Sequence, residues 1–248
     1  MARILLLGGT SEASELARAL AQRGADAVFS YAGRTARPVA QPLPTRVGGF
    51  GGCAGLQAFL QAENVRQVID ATHPFASGMS RNAQAACAAL GVDLVTYQRP
   101  PWQAGAGDIW HHVSDMQAAV AALPEAPARV FLAIGKQALA LFSARSQHRY
   151  LLRLVDAPQD VPLRHWQAEI ARGPFDVPGD IALMRAHRIQ LIVAKNAGGD
   201  GAMAKLVAAR ELGLPVILVD RPVAPAGTVL TGLEQVLHWL DHPERLGV

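Results

Sequence analysis

"LLLGGTSEASELARAL", residues 5–20, is the stretch whose reading decides the fold. A continuous apolar run stops at Gly8 and Gly9, passes hydroxyls at Thr10 and Ser11, and resumes at helical spacing with Leu16, Ala17 and Leu20. An unbroken apolar run of this kind predicts a strand buried on both faces, as in a parallel sheet. Ser11 is read as the cap of the helix and Gly24 as its end. The turn can offer backbone N–H groups and a hydroxyl to a phosphate at a helix start. It reads equally well as a tight strand–helix turn with a good cap. Its spacing is not the dinucleotide fingerprint G-x-G-x-x-G.

Working outward, strand and helix patterns alternate. "DAVFSYAG" and "TRVGGF" read as strands, "CAGLQAFLQAE" as a helix, "VRQVIDAT" as a strand, "ASGMSRNAQAACAALG" as a helix and "DLVTYQRP" as a strand. The proline- and glycine-rich "QRPPWQAGAG", residues 98–107, breaks the pattern and is taken as the domain crossover. The alternation then restarts. "DIWHHV" and "RVFLAIG" read as strands, "KQALALFS" as a helix, and "YLLRLV" and "AEIARGPF" as strands. "PGDIALMRAH" is a helix with Pro178 near its start, where proline is tolerated. "IQLIVAKNAGG" is a strand and glycine loop, "AMAKLVAAREL" a helix, "LPVILVDRP" a strand, and "LEQVLHWL" a closing amphipathic helix. Such alternation implies an α/β fold of two Rossmann-like, doubly wound parallel-sheet lobes with a cleft between them. The lobes are expected over residues 1–98 and 99–248.

Composition excludes several classes. The chain has 248 residues, 50% hydrophobic and 17% charged, enough for one large domain or two small ones. No apolar run approaches the roughly 18 residues of a membrane span, and residues 4–7 are too short for a signal-peptide core. A cytoplasmic protein is expected. Cys53 and Cys87, the only cysteines, are too few for a disulfide framework or a cysteine-built metal site. The net charge of +3 comes with scattered arginines (Arg34, Arg37, Arg46, Arg81, Arg99, Arg153, Arg221), which does not form the stripe a nucleic acid needs. Several follow predicted strands, which suggests a small anionic ligand.

In open α/β sheets ligands bind beyond the carboxyl ends of the strands. The first half places there Gly8 to Glu12, then Ser30, Gly33, Arg34 and Thr35, then Thr72, His73 and Pro74. The second half places Gly135, Lys136 and Gln137, then Lys195, Asn196, Gly198 and Gly199, then Asp220 and Arg221. The segment after the second strand, "SYAGRTAR", holds Arg34 and Arg37 but no acid. A ribose 2′-phosphate wants arginine where a ribose hydroxyl wants a carboxylate, so a bound dinucleotide would be NADPH. Lys195, followed by Asn196 and two glycines, looks like an anion clamp, against the commoner fate of a surface charge. His73 is open between proton donor, carboxylate ligand and a satisfied turn histidine. His111 and His112 alternate on a strand and cannot chelate one ion together. No P-loop, nucleophile elbow or metal-ligand spacing is present, so no metal is expected.

Taken together, "LGGTSEA", "DATHPFA", "RPPW", "IGKQAL", "AKNAGGDG" and "LGLPVILVDRP" resemble, in order and over most of the chain, the precorrin-6A reductase family of cobalamin biosynthesis. Family members usually read threonine before the Gly135 position and serine at Ala197; Ile134 and Ala197 here leave only backbone contacts at those places. The resemblance implies NADPH-dependent reduction of one double bond of a polycarboxylate tetrapyrrole, precorrin-6A, to precorrin-6B. Cobalt-precorrin-6A reductase, an unrelated NADPH-linked reductase, and a non-catalytic nucleotide or tetrapyrrole carrier are the alternatives. On that footing Gly9, Thr10, Ser11, Ser30, Gly135, Lys136 and Gln137 would hold the cofactor, with Arg34 on the 2′-phosphate. His73, Arg81, Lys195, Asn196, Gly199 and Arg221 would meet the substrate. No catalytic acid is assigned; His73 and Lys195 are the candidates. The small-molecule substrate is the expected partner, with room for transient contact with neighbouring pathway enzymes.

Overall fold

The computed structural model describes residues 2–33, 37–223 and 226–242. The chain runs through β1 (Arg3–Leu7), α1 (Ser11–Gln22), β2 (Ala27–Tyr31), β3 (Thr45–Val47), α2 (Gly52–Ala62), β4 (Val65–Asp70), α3 (Ser77–Leu90) and β5 (Asp93–Tyr97). It continues through β6 (Trp110–Val113), α4 (Met116–Ala121), β7 (Arg129–Ala133), a 3-10 helix (Lys136–Arg145), β8 (Arg149–Leu154), β9 (Trp166–Ile170) and α5 (Val177–Ala186). Then follow β10 (Leu191–Lys195), α6 (Ala204–Glu211), β11 (Val216–Val219), β12 (Val229–Leu230) and α7 (Leu233–Asp241).

Among the described residues these strands form two six-stranded sheets, ordered β12-β5-β4-β1-β2-β3 and β6-β11-β10-β7-β8-β9. Every pairing is parallel. In the first sheet the order reverses between β1 and β4, in the second between β7 and β10, and ligands bind at such switch points. The β1 run works as its sequence demands, because successive side chains point to opposite faces. Ile4 and Leu6 enter a core with Leu16 and Leu20 of α1, while Leu5 and Leu7 enter another with Leu56, Leu60 and Ala83 of α2 and α3.

The chain divides into two compact units, one of Met1–Pro100 joined by the segment from Val223 onward, the other of Pro101–Pro222. The expected second lobe ran to residue 248; instead β12 pairs with β5, Val229 against Thr96 and Leu230 against Tyr97. Helix α7 then packs Val236, Leu237 and Trp239 into the core under α1, and Arg23 pairs with Asp241. The physical reason is the apolar face of α1, which only this last helix completes.

Two local readings also change. Thr10, not Ser11, caps α1, its Oγ1 accepting from the Ala13 N–H at 3.1 Å. "KQALALFS" is a 3-10 helix rather than an α-helix: its buried residues, Leu139 and Phe142, are three apart, matching three residues per turn. The proline- and glycine-rich crossover is ordered. Asp108, its side chain fully buried, accepts from Arg210 Nε at 2.9 Å and Nη2 at 3.1 Å, pinning the segment to α6. No helix of the described residues is long and apolar enough to cross a membrane.

Candidate functional site

At the first unit's switch point Ala71 N–H donates to Leu7 O at 2.9 Å and Thr10 Oγ1 to Ala71 O at 2.9 Å. The Thr10 hydroxyl is therefore spent on the turn, as cap acceptor and cross-strand donor. The two glycines have different jobs. A Cβ on Gly8 would lie 2.1 Å from Phe29 Cζ, so Gly8 answers to packing. Gly9 has φ +129° and is exposed, and among the described residues no atom lies within 4 Å of where a Cβ would stand. Ser11 Oγ donates to Glu12 Oε2 at 3.2 Å, and Arg99 Nη1 meets the same oxygen at 2.6 Å. Arg99 and Glu12 are 15% and 19% exposed, so this half-buried pair places a balanced charge, not a bare carboxylate, at the α1 N-terminus.

Ser30 is buried and its hydroxyl accepts from Arg46 Nη1 at 2.8 Å. Arg46 also donates to Gly48 O at 2.9 Å and lies 3.8 Å from the Phe50 ring centroid, and burial lowers its pKa from the ordinary value. Arg46 is thus the cation held beside the β2 end in the described structure; Arg34 falls outside the described residues. After β4, Asp70 is buried and accepts from Thr72 Oγ1 at 2.6 Å and Thr72 N–H at 3.1 Å. His73 Nδ1 accepts from Phe75 N–H at 3.2 Å. A neutral ring with that acceptor carries its proton on Nε2. Arg81 is exposed on α3.

A cavity of about 210 Å³ adjoins Asp70, lined also by Ser80, Gln84, Cys87, Thr96 and Thr228. Burial, aided by Asp70, Asp93 and Cys53, pushes the Cys87 thiol up to about 12. The thiol is neutral at every working pH, so in the native protein Cys53 should react with a thiol reagent at pH 8 while Cys87 stays unlabelled, as read by mass spectrometry. The sign follows from linkage. Folding favours the neutral thiol, so its contribution is complete below the ordinary thiol range and is lost as pH climbs toward 12.

In the second unit Gly135, φ +75°, follows β7 and starts the 3-10 helix, and among the described residues no atom lies within 4 Å of a would-be Cβ. Lys136 and Gln137 are exposed, and among the described residues neither side chain has a partner. At the β10 end, Asn196 is 5% exposed. Its Oδ1 accepts from Trp102 N–H at 2.8 Å and its Nδ2 donates to Trp102 O at 3.2 Å. Trp102 Nε1 donates to Gly199 O at 2.9 Å. Arg221 Nε donates to Asn196 O and Nη2 to Ala197 O, both at 2.9 Å. Lys205 lies 4.8 Å from the Trp102 ring centroid and donates to Ala202 O. Asn196, Gly199 and Arg221, expected to touch substrate, are therefore parts of a brace that shapes the loop after Lys195. Lys195 itself is half-buried at the strand end. Asp220 pairs with His112 at 2.7 Å.

The structure thus gathers the expected residues at two switch points, one per unit, and sorts them. Gly9, Ser11, His73 and Arg81 stand at the first; Gly135, Lys136, Gln137 and Lys195 stand at the second. Thr10, Asn196 and Arg221 bond loop backbone there, and Ser30 bonds Arg46. Sequence reading gave no role to Arg46, Trp102 or Lys205 and left Glu12 open. The one signal available was "RPPW", where a large aromatic follows two prolines and must be seated somewhere. Glycine turns with open backbone at helix starts, one of them beside an unpartnered lysine, fit the phosphates of a dinucleotide.

Two doubly wound parallel units with such turns at both switch points define a Rossmann-like α/β protein. Residues 3–241 match the family model described as precorrin-6x reductase CbiJ/CobK. The precorrin-6A reductase of Rhodobacter capsulatus is 64% identical over 98% of this chain and 97% of its own. That of Sinorhizobium sp is 46% identical over 96% and 94%, and the cobalt-precorrin-6A reductase of Priestia megaterium 30% over 98% and 99%. A solved structure described as CobK precorrin-6A reductase superposes with a TM-score of 0.94 at 64% identity, covering 97% of this chain and 96% of that one. The chain belongs to the precorrin-6x reductase family.

Proposed function

We propose that the protein reduces one double bond of precorrin-6A to give precorrin-6B, with NADPH as reductant, in the cytoplasm. The observation that carries this reading is the 64% identity to a precorrin-6A reductase over nearly the whole of both chains. The metal-free substrate is favoured because relatives named precorrin-6A reductase share 42–64% identity, whereas those named for the cobalt form share 26–30%.

NADPH, when bound, would supply a hydride; the chain's part is to bind, orient and hold a proton. The open backbone at Gly9 and Ser11 and that at Gly135, Lys136 and Gln137 are the phosphate seats, and Lys136 adds an unpaired cation. Arg34 is assigned to the 2′-phosphate. The Arg99–Glu12 pair keeps the α1 N-terminus free of net negative charge, which a phosphate there requires. His73, Arg81 and Lys195 are assigned to the substrate's carboxylates. His73 Nε2 presents a proton fixed in place by the Phe75 N–H, and Lys195 is held at its strand end by the Trp102–Asn196–Arg221 brace.

Lys136→Ala should raise the KM for NADPH about tenfold or more, the loss of a charge-assisted hydrogen bond, with kcat near the parent value. The assignment as a whole is tested with purified protein, NADPH and metal-free precorrin-6A, following NADPH absorbance and the pigment spectrum together. Coupled change of both is expected. No turnover with either the metal-free or the cobalt substrate removes the assignment.

A further inference from the structure

The amino ends of β7, β8 and β9 lie at the opposite edge of the second sheet from the glycine turn after β7. There a cleft of about 300 Å³ is lined by Arg129, Arg149, Arg164, His165, Trp166 and His187. Three arginines and two histidines face it, and among the described residues no carboxylate lines it. Arg129 and Arg149 are register partners on neighbouring parallel strands, as are Tyr150 and Trp166 one step along. Neighbouring strands are about 4.8 Å apart, so the two guanidinium stems start side by side. Arg129 Nη1 reaches His187 O at 3.4 Å, and His187 Nδ1 bonds Gln167 Oε1 at 3.0 Å. Among the described residues the guanidinium groups of Arg149 and Arg164 have neither hydrogen bond nor ion pair.

Like charges placed directly opposite each other weaken a sheet. Elsewhere in this unit three arginines are given acids: Arg145 has Glu125, Arg153 has Asp180 and Arg210 has Asp108. Among the described residues no carboxylate compensates this cleft, and the Trp166 indole, 40% exposed, offers a flat apolar face beside it. A volume of about 300 Å³ is at the lower end for ligand cavities, the scale of a mononucleotide or a tricarboxylate and not of a tetrapyrrole macrocycle.

We propose that this cleft binds a small multivalent anion, its phosphates or carboxylates held by Arg129, Arg149 and Arg164 and any flat group laid on Trp166. The site is separate from the glycine turn after β7 and does not depend on the reaction proposed above. Guanidinium forks suit both oxyanion types, so the probes distinguish them.

The full chain is titrated with ATP, tripolyphosphate and citrate, reading tryptophan fluorescence, with calorimetry for any probe that gives no optical signal. Saturable binding of at least one probe is expected, weakened about tenfold or more in Arg149→Ala/Arg164→Ala and unchanged in Lys136→Ala. ATP binding markedly tighter than tripolyphosphate, with its signal lost in Trp166→Phe, assigns a nucleotide. Equal affinity assigns a polyphosphate, and preference for citrate a polycarboxylate. Arg149→Ala alone should not lower the melting temperature, since it relieves a like-charge pair; should that variant misfold, Arg149→Gln takes its place in the titration. No saturable binding by any probe overturns the proposal. So does binding that survives the double arginine replacement or disappears in Lys136→Ala.

Discussion

Asp180→Ala is expected to destabilise the second unit by about 3–5 kcal/mol, the cost of stranding a buried charge. Asp180 on α5 is 3% exposed and Arg153 on β8 is 10% exposed, and they form an ion pair. The guanidinium is stacked between rings, 4.1 Å from the Phe175 centroid and 4.9 Å from that of Phe131. With the acid gone, the arginine keeps its charge but has no counter-charge and little water. Arg153 Nε and Asp180 Oδ2 are already buried without hydrogen-bond partners, so the pair is incompletely solvated even when intact. Replacing both members by apolar residues, Arg153→Met with Asp180→Leu, should therefore recover most of the loss. Thermal unfolding followed by circular dichroism checks both: a drop of about 6–20 °C for the single variant, and a return toward the parent for the double.

The second large effect belongs to Gly8→Ala. The new methyl would stand 2.1, 2.4 and 2.9 Å from three atoms of the Phe29 ring. Phe29 is fully buried in the core under α1 and its ring lies against Tyr31 at 4.7 Å, so it has nowhere to move. Overpacking usually costs about 1–3 kcal/mol, and an overlap with a ring seated in a full core belongs at or above the top of that range. Gly9→Ala meets no atom, and its cost is backbone strain at φ +129°. Phe29→Leu distinguishes the two mechanisms. It should relieve Gly8→Ala, making the double variant more stable than additivity allows, and should do nothing for Gly9→Ala. Denaturant titration of the three single variants, the two doubles with Phe29→Leu and the parent measures that coupling.

These two positions mark what a sequence can and cannot disclose. The parallel sheet was legible because Ile4 to Leu7 are apolar without alternation, and only a strand covered on both faces needs that. The glycine turn was legible as a place, but the reason for its first glycine lies in a ring carried by the next strand. Polar residues at strand ends were harder still. Asn196, Arg221, Ser30 and Thr10 look, in sequence, like Lys136 and His73. Buried loop backbone needs hydrogen-bond partners as surely as a ligand does, and Thr10, Asn196 and Arg221 supply them, while Ser30 bonds the Arg46 side chain. Which purpose a side chain serves is settled by contacts distant in sequence, such as Asn196 with Trp102. The return of the chain end was invisible for a similar reason. A two-residue β12 carries no periodicity, and an amphipathic α7 does not name the core it will cover.

That return sets an order of assembly. The second unit interrupts the first in the chain, so on the ribosome residues 101–222 are all made before β12 and α7 exist. Through that interval α1 holds Leu16 and Leu20 toward a core still lacking Val236, Leu237 and Trp239. The first unit to begin is thus the last to close, and its earliest helix waits for the final segment to bury it. Biogenesis depends on the inserted unit folding promptly enough that this exposed face meets its own C-terminal helix before it meets another nascent chain.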